Sequence, residues 1–295
     1  MEIAPGWEHH YAHVNNIRLH YVSAGEGPLV VLLHGFPEFW YSWRHQIPVL
    51  AERFRVVAPD MRGYNQSEKP VGVHRYRVRA LMEDVAGLIR HLGEESAVLV
   101  AHDWGGGVAW PFAAHYHHMV ERLIILNCPP PEVLIDHLMK NPAQRRRSYY
   151  MFLFQVPFLP ELLMRRRDYL MVKRLFRGWL LDKSALTPHD IDMFKEAAAK
   201  PGALTGGINY YRAAFRQFLR SPRGQSQNAP KVKCPTLVIW AEEDRALGKE
   251  LTYDFHTAVE GPLEIRYIPG CSHWVQQERP QEVNSLIMDF LSDHA

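Results

Sequence analysis

The sequence predicts an α/β fold: a mostly parallel central sheet flanked by helices, with an inserted helical segment. Three observations predict it. Short continuous apolar runs such as Leu29-Val30-Val31-Leu32-Leu33 recur along the chain, as strands buried on both faces of a parallel sheet do. Segments with apolar residues at helical spacing separate them. The alternation is suspended once, over about 129–230, and then resumes.

The elements follow in order. Residues 17–22 (IRLHYV) read as a strand and Glu26-Gly27-Pro28 as a turn, before the run at 29–33. Arg55-Val56-Val57-Ala58 and 97–101 (AVLVA) repeat the buried-strand signature. Between them Leu81, Val85, Leu88, Ile89 and Leu92 mark one face of a helix over 78–92, which Gly93 ends. A second helix is expected over 105–117 and a short strand over 123–126. From 129 to 230 the chain is helical, aromatic and basic, with breaks at Pro142, Pro157, Pro160, Pro188 and Pro201. Strands return at 235–240 and 263–268, and a last helix at 281–291. The expected organisation is therefore a core formed by 1–128 and 231–295, with a helical cap over 129–230 inserted between them.

Composition excludes several function classes. Lys plus Arg is 34 and Asp plus Glu 32, a formal net charge of +2, without the basic excess of a general nucleic-acid binder. The runs Arg145-Arg146-Arg147 and Arg165-Arg166-Arg167 read as solvated helix faces. Cys128, Cys234 and Cys271 are odd in number, scattered, and without metal-ligand spacing. Reduced thiols fit a cytoplasmic protein. Met1–Gly6 shows no charged-then-apolar signal pattern, and no window reaches the ~18 apolar residues of a membrane helix.

Two strand-to-loop junctions carry the chemistry. In Leu33-His34-Gly35-Phe36-Pro37 a glycine allows a sharp turn after a buried strand. In Val100-Ala101-His102-Asp103-Trp104-Gly105-Gly106, small residues lie two before and two and three after Asp103. This is the spacing of a strand–turn–helix elbow that displays a nucleophile, with a helix N-terminus that favours the carboxylate. Alone, the motif is equally an N-cap followed by glycines. Asp244 follows the strand ending at Trp240, and His273 lies between the last strand and the last helix. Nucleophile, acid, histidine is the α/β-hydrolase order.

Over nearly its whole length the chain resembles an epoxide hydrolase of the α/β-hydrolase fold. The matching pieces are His34-Gly35-Phe36-Pro37-Glu38, Asp60-Met61-Arg62-Gly63-Tyr64, His102-Asp103-Trp104-Gly105-Gly106, Asp244 and Gly270-Cys271-Ser272-His273-Trp274. Asn65 stands where many relatives have glycine, and Asn tolerates positive φ. The resemblance implies that the Asp103 carboxylate opens the epoxide and forms an alkyl ester, which water then attacks. His273, oriented by Asp244, would be the base, and the backbone N–H groups of Phe36 and Trp104 would hold the oxyanion.

An epoxide, unlike a halide, leaves as a strong base and needs an acid. Tyrosine, with a pKa of about 10, can donate at neutral pH, and the family supplies two from its helical cap. The candidates are Tyr150, with Tyr149 adjacent and not separated from it by periodicity, and Tyr211, which on a helix over 208–219 shares a face with Ala214, Phe215 and Phe218. The apolar cap, with Phe152, Phe154, Phe158, Leu159 and Trp179, suggests a pocket for lipophilic epoxides; Phe36, Trp104, Phe154 and Trp274 are the side chains expected to touch substrate. Asn127, after the strand at 123–126, occupies a position where some relatives carry their acid, so that role falls to Asp244. The neighbouring Glu242 and Glu243 are expected to be replaceable. No metal or organic cofactor is implied, no nucleic acid, no membrane insertion, and a monomer or homodimer. The alternatives are a haloalkane dehalogenase, for which Trp104 could serve halide, and a catalytically silent receptor of the same fold.

Overall fold

The computed structural model describes residues 7–220 and 230–292. Residues 221–229 of the expected insertion, and the six N-terminal residues read for a signal, lie outside the described residues. Eight strands form one sheet in the order β1-β2-β4-β3-β5-β6-β7-β8. The strands are β1 Glu8–Val14, β2 Ile17–Ala24, β3 Leu29–Leu33, β4 Arg55–Pro59, β5 Ala97–His102, β6 Val120–Leu126, β7 Thr236–Ala241 and β8 Leu263–Ile268. β2 pairs antiparallel with β1 and β4, and every other pairing is parallel.

The apolar runs fold as their composition requires. Every residue of β3, β5 and β7 is buried, as in a sheet covered on both faces. α2 (Val78–His91) buries Leu81, Val85, Leu88 and Ile89 and packs with α3 (Trp104–His115), while α1 (Ile47–Leu50) packs with α11 (Pro280–Ser292). The hairpin strand β1 is absent from the expectations. Its residues EHHYAHV bury only Ala12 and Val14, so no apolar run announces it. Asn15 and Asn16, at φ 47° and 57°, make the two-residue turn into β2.

Between β6 and β7 the described chain is helical: α4 Pro131–Lys140, α5 Pro142–Arg147, α6 Tyr149–Leu153, α7 Leu159–Trp179, α8 Pro188–Ala199 and α9 Ala203–Arg220. α7 is broken, since Arg167, Asp168 and Tyr169 adopt left-handed φ of 51°, 56° and 57°. After β8 comes the short α10, Val275–Glu278.

Strand order fixes where a site can form. β4 lies on one side of β3 and β5 on the other, so the chain reverses its direction of travel between β3 and β5. The loops leaving the carboxyl ends of these two strands diverge and leave a crevice, the usual place for a ligand in such sheets. Those loops carry His34-Gly35-Phe36 and Asp103.

Candidate active site

Asp103 sits between β5 and α3 at φ 49°, ψ −120°, a conformation that non-glycine residues rarely adopt. Close packing produces it. A Cβ on Gly105 would lie 2.1 Å from the carbonyl oxygen of Leu33, and one on Gly35 would lie 2.4 Å from Cβ of Asp103. Only glycines let the β3 loop and the start of α3 approach this closely. The Phe36 N–H donates to Asp103 Oδ1 at 2.8 Å. Trp104 is the first residue of α3, where backbone N–H groups lack helical acceptors.

His273 and Asp244 meet Asp103 from the ends of β8 and β7. His273 Nε2 lies 3.5 Å from Asp103 Oδ2, and Nδ1 lies 2.6 Å from Asp244 Oδ2. Asp244 Oδ1 accepts the N–H groups of Ala246 and Leu247 at 2.7 and 3.0 Å. Burial opposes charge on both Asp103 and His273, but their pairing outweighs it. Asp103 is held below the usual carboxylate range by His273, His102 and the Phe36 N–H. The His273 pKa is raised to about 10 by Asp244 and Asp103. The site therefore rests as an imidazolium between two carboxylates.

Several supporting residues escape a reading of the sequence alone. Asn127, at the end of β6, donates Nδ2 to Asp244 Oδ2 at 2.8 Å, and its Oδ1 accepts the Ala241 N–H at 2.8 Å. It thus fixes the carboxylate. His102 Nε2 lies 2.8 Å from the His273 carbonyl oxygen and Nδ1 lies 2.8 Å from Glu38 Oε2. Glu38 also accepts from Gln276 and Gln277 at 3.1 and 2.7 Å. Glu243, expected to be idle, accepts the Cys271 N–H at 3.1 Å and so shapes the loop of His273. Glu242 pairs only with Lys249 among the described residues. The one available signal was the proximity of His102, Asn127 and Glu243 to the ends of adjacent strands.

Above Asp103 lies a predominantly apolar cavity of about 330 Å³ between the sheet and the helical segment. Tyr150 and Tyr211 line it with Asp103. Their rings stand edge to face, 5.9 Å apart. Burial first, and then the charge of Asp103, raises both phenol pKa values well above 10, so both hydroxyls stay protonated donors. Tyr149 is 68% exposed. Tyr210 turns the other way and donates to the Arg62 carbonyl at 2.8 Å. Ala214, Phe215 and Phe218 line the cavity beside Tyr211, on the face given by helical spacing. Asn65 has φ 35° and donates to Asp60 at 2.9 Å.

Of the four side chains expected against substrate, only Trp104 lines the cavity. Phe36 and Phe154 stand behind Tyr211, with ring centroids 5.7 and 4.9 Å from it. Trp274 is 1% exposed and packs between His273 and Phe176. The wall is formed instead by residues such as Leu134, Leu138, Phe152 and Phe215. Among the described residues no group of His, Cys, Asp and Glu could hold a metal ion, and no helix is long and apolar enough to cross a membrane.

Comparison with known proteins agrees with this fold. The family model for the alpha/beta hydrolase fold matches residues 28–280. Epoxide hydrolase 3 of Mus musculus is 41% identical over 95% of this chain and 75% of its own length. The AB hydrolase superfamily protein YfhM of Bacillus subtilis is 40% identical over 96% of this chain and 97% of its own. An epoxide hydrolase of Bacillus megaterium, solved with an inhibitor, superposes with a TM-score of 0.87 at 34% identity, covering 96% of this chain and 99% of the other.

Proposed function

The chain belongs to the α/β-hydrolase fold family and, within it, to the epoxide hydrolases, and from that premise we infer that it converts a lipophilic epoxide and water to a vicinal diol through an ester on Asp103. The observation that carries the reading is the pairing of an ionised carboxylate in the elbow with two protonated phenols across one apolar cavity. A halide would leave without an acid, so two such donors favour an epoxide over a haloalkane.

The described helices between β6 and β7, α4 to α9, act as a cap. In the first step Asp103 attacks an epoxide carbon, the C–O bond breaks, and the oxygen takes a proton from Tyr211 or Tyr150. The product is a hydroxyalkyl ester and a tyrosinate. With Asp103 esterified, the imidazolium of His273 gives up its resting proton, which returns to the tyrosinate. In the second step the neutral His273 takes a proton from water, and the resulting hydroxide attacks the ester carbonyl carbon. The Phe36 N–H, already 2.8 Å from Oδ1, and the Trp104 N–H receive the oxyanion. Collapse releases the diol, restores the carboxylate and leaves His273 as the resting imidazolium. With three free cysteines, two of them buried, a reducing cytoplasmic setting suits the protein.

The test is a single turnover of excess enzyme with styrene oxide in oxygen-18 water. Label in the peptide containing Asp103 and unlabelled diol are expected. Labelled diol with an unlabelled peptide would mean direct attack by water and would exclude the ester.

A further inference from the structure

The proposed reaction leaves one face of the cap unused. Over 152–162 the chain turns outward and presents Phe152, Val156, Phe158, Leu159 and Leu162, with Phe158 83% and Leu162 60% exposed. So many large apolar side chains together exceed the scattered exposure normal for a soluble surface. The segment is rigidly framed. Arg212, buried beneath it, donates to the carbonyl oxygens of Phe154 and Val156, each at 2.9 Å. The same guanidinium grips Glu161 at 2.6 and 3.1 Å. Phe158 sits at φ 61°, a left-handed conformation that is unfavourable for a bulky residue. The framework thus holds Phe158 out.

Charge and cavity point to what this face meets. Arg165, exposed, lies three residues after Leu162 on the same face of α7, and Arg166 and Arg167, also exposed, follow it at the break in the helix. Residues 129–220 contain 16 Lys and Arg against 8 Asp and Glu, a net +8 in a chain whose total is +2. Phe152, where the segment starts, also lines the cavity beside Ile135, Met139 and Arg145, all of which reach the surface. The apolar knuckle, the basic rim and the cavity mouth are therefore continuous.

We propose that this face docks on the surface of an anionic lipid bilayer. Phe158 and Leu162 enter the boundary between headgroups and acyl chains, and Arg165 to Arg167 face the headgroup anions. A lipophilic epoxide dissolved in the bilayer then passes to the cavity mouth without crossing water. The anionic cytoplasmic leaflet matches the charge. A second copy is a poorer occupant, because it would bring two strongly positive faces together. Delivery of substrate rests on the epoxide-hydrolase reading; docking does not.

The experiment measures cosedimentation of the full chain with vesicles of phosphatidylcholine, with and without phosphatidylserine. Binding should rise with phosphatidylserine and fall as salt is added. The pair Phe158→Ser and Leu162→Ser should reduce binding severalfold, and each of Arg165→Ser and Arg166→Ser should weaken it about fivefold at low salt. Turnover of dissolved styrene oxide should be unchanged in all of these variants. Vesicle binding as expected without epoxide turnover would leave docking standing and overturn the reading of the reaction. No vesicle binding, or binding indifferent to Phe158 and Leu162, overturns docking. Gel filtration showing a dimer that the Phe158→Ser variant dissolves, with no vesicle binding, would assign the face to a second copy.

Discussion

His273 is held between two carboxylates, 2.6 Å from Asp244 and 3.5 Å from Asp103, and the two supports behave differently in the proposed cycle. Asp244 keeps its charge throughout. Asp103 becomes a neutral ester, so His273 loses one of its stabilising charges at the step in which it must accept a proton. Asp103→Asn, which keeps the shape and removes the charge, should lower the His273 pKa from about 10 by about one unit or more. An NMR titration of the imidazole reads this directly, and an unchanged pKa would mean that Asp103 does not hold the imidazolium. The sign of the stability effect follows from the raised pKa. The contact stabilises fully below the unfolded value of about 6.5 and is lost as pH rises through about 10. Denaturation of the wild type and of Asp103→Asn should therefore differ most in mildly acidic solution just below pH 6.5, and less as pH rises through about 10. Asp103, Asp244 and His273 are legible in the sequence because chain order and strand ends are properties of the sequence. Asn127 and Trp274 are not, because what they touch depends on packing. Trp274 follows His273 directly, yet it is the cap residue of α10 and its indole turns into the core.

At the scale of elements, two buried side chains tie the helical segment to the loops that carry the acid and the histidine. Gln144 of α5 donates to the Ala246 carbonyl at 2.8 Å and accepts the Gly248 N–H at 2.9 Å. Ala246 in turn donates to Asp244. Glu278 of α10 accepts the N–H groups of Leu181 and Asp182 at 3.0 and 2.7 Å with one oxygen, and the Ser272 N–H at 3.0 Å with the other. Gln144→Leu keeps the bulk but leaves a buried carbonyl and a buried N–H unpaired. The expected loss is about 2–4 kcal/mol in urea denaturation, with ester hydrolysis slowed as the Asp244 loop loosens. Stability within about 0.5 kcal/mol of wild type would mean that water or relaxation replaces these bonds. No periodicity marks such a glutamine, which stands beside Arg145, Arg146 and Arg147 in a helix that reads as solvated. The break in α7 is silent for a similar reason: Arg166 to Tyr169 contain neither proline nor glycine, and tertiary packing overrides their helical preference. The parallel strands were legible because burial on both faces leaves continuous apolar runs.

The proposed reaction divides between the two layers of the molecule. On that proposal the sheet side contributes the carboxylate that forms the ester, and the histidine and N–H groups that break it down. The helical side would contribute both phenols, needed only while the epoxide oxygen becomes a base. Lesions in the two layers should therefore affect different half-reactions. In Tyr211→Phe, the hydroxyl of Tyr150 still reaches the cavity. Ester formation should fall by about a hundredfold, the lower end for losing a positioned acid, while breakdown of ester already formed changes little. In His273→Gln, the ester should form and persist, because a carboxylate nucleophile needs no base for its own attack. Rapid quench of a single turnover, with the mass of the intact protein followed over time, separates the two rates. Combining the changes should slow formation as in the first variant and trap the ester as in the second, giving a slow but complete gain of mass. Equal slowing of formation and breakdown by Tyr211→Phe would mean that the cap phenol shapes the cavity rather than supplying a proton, and the division between layers would then be one of packing alone.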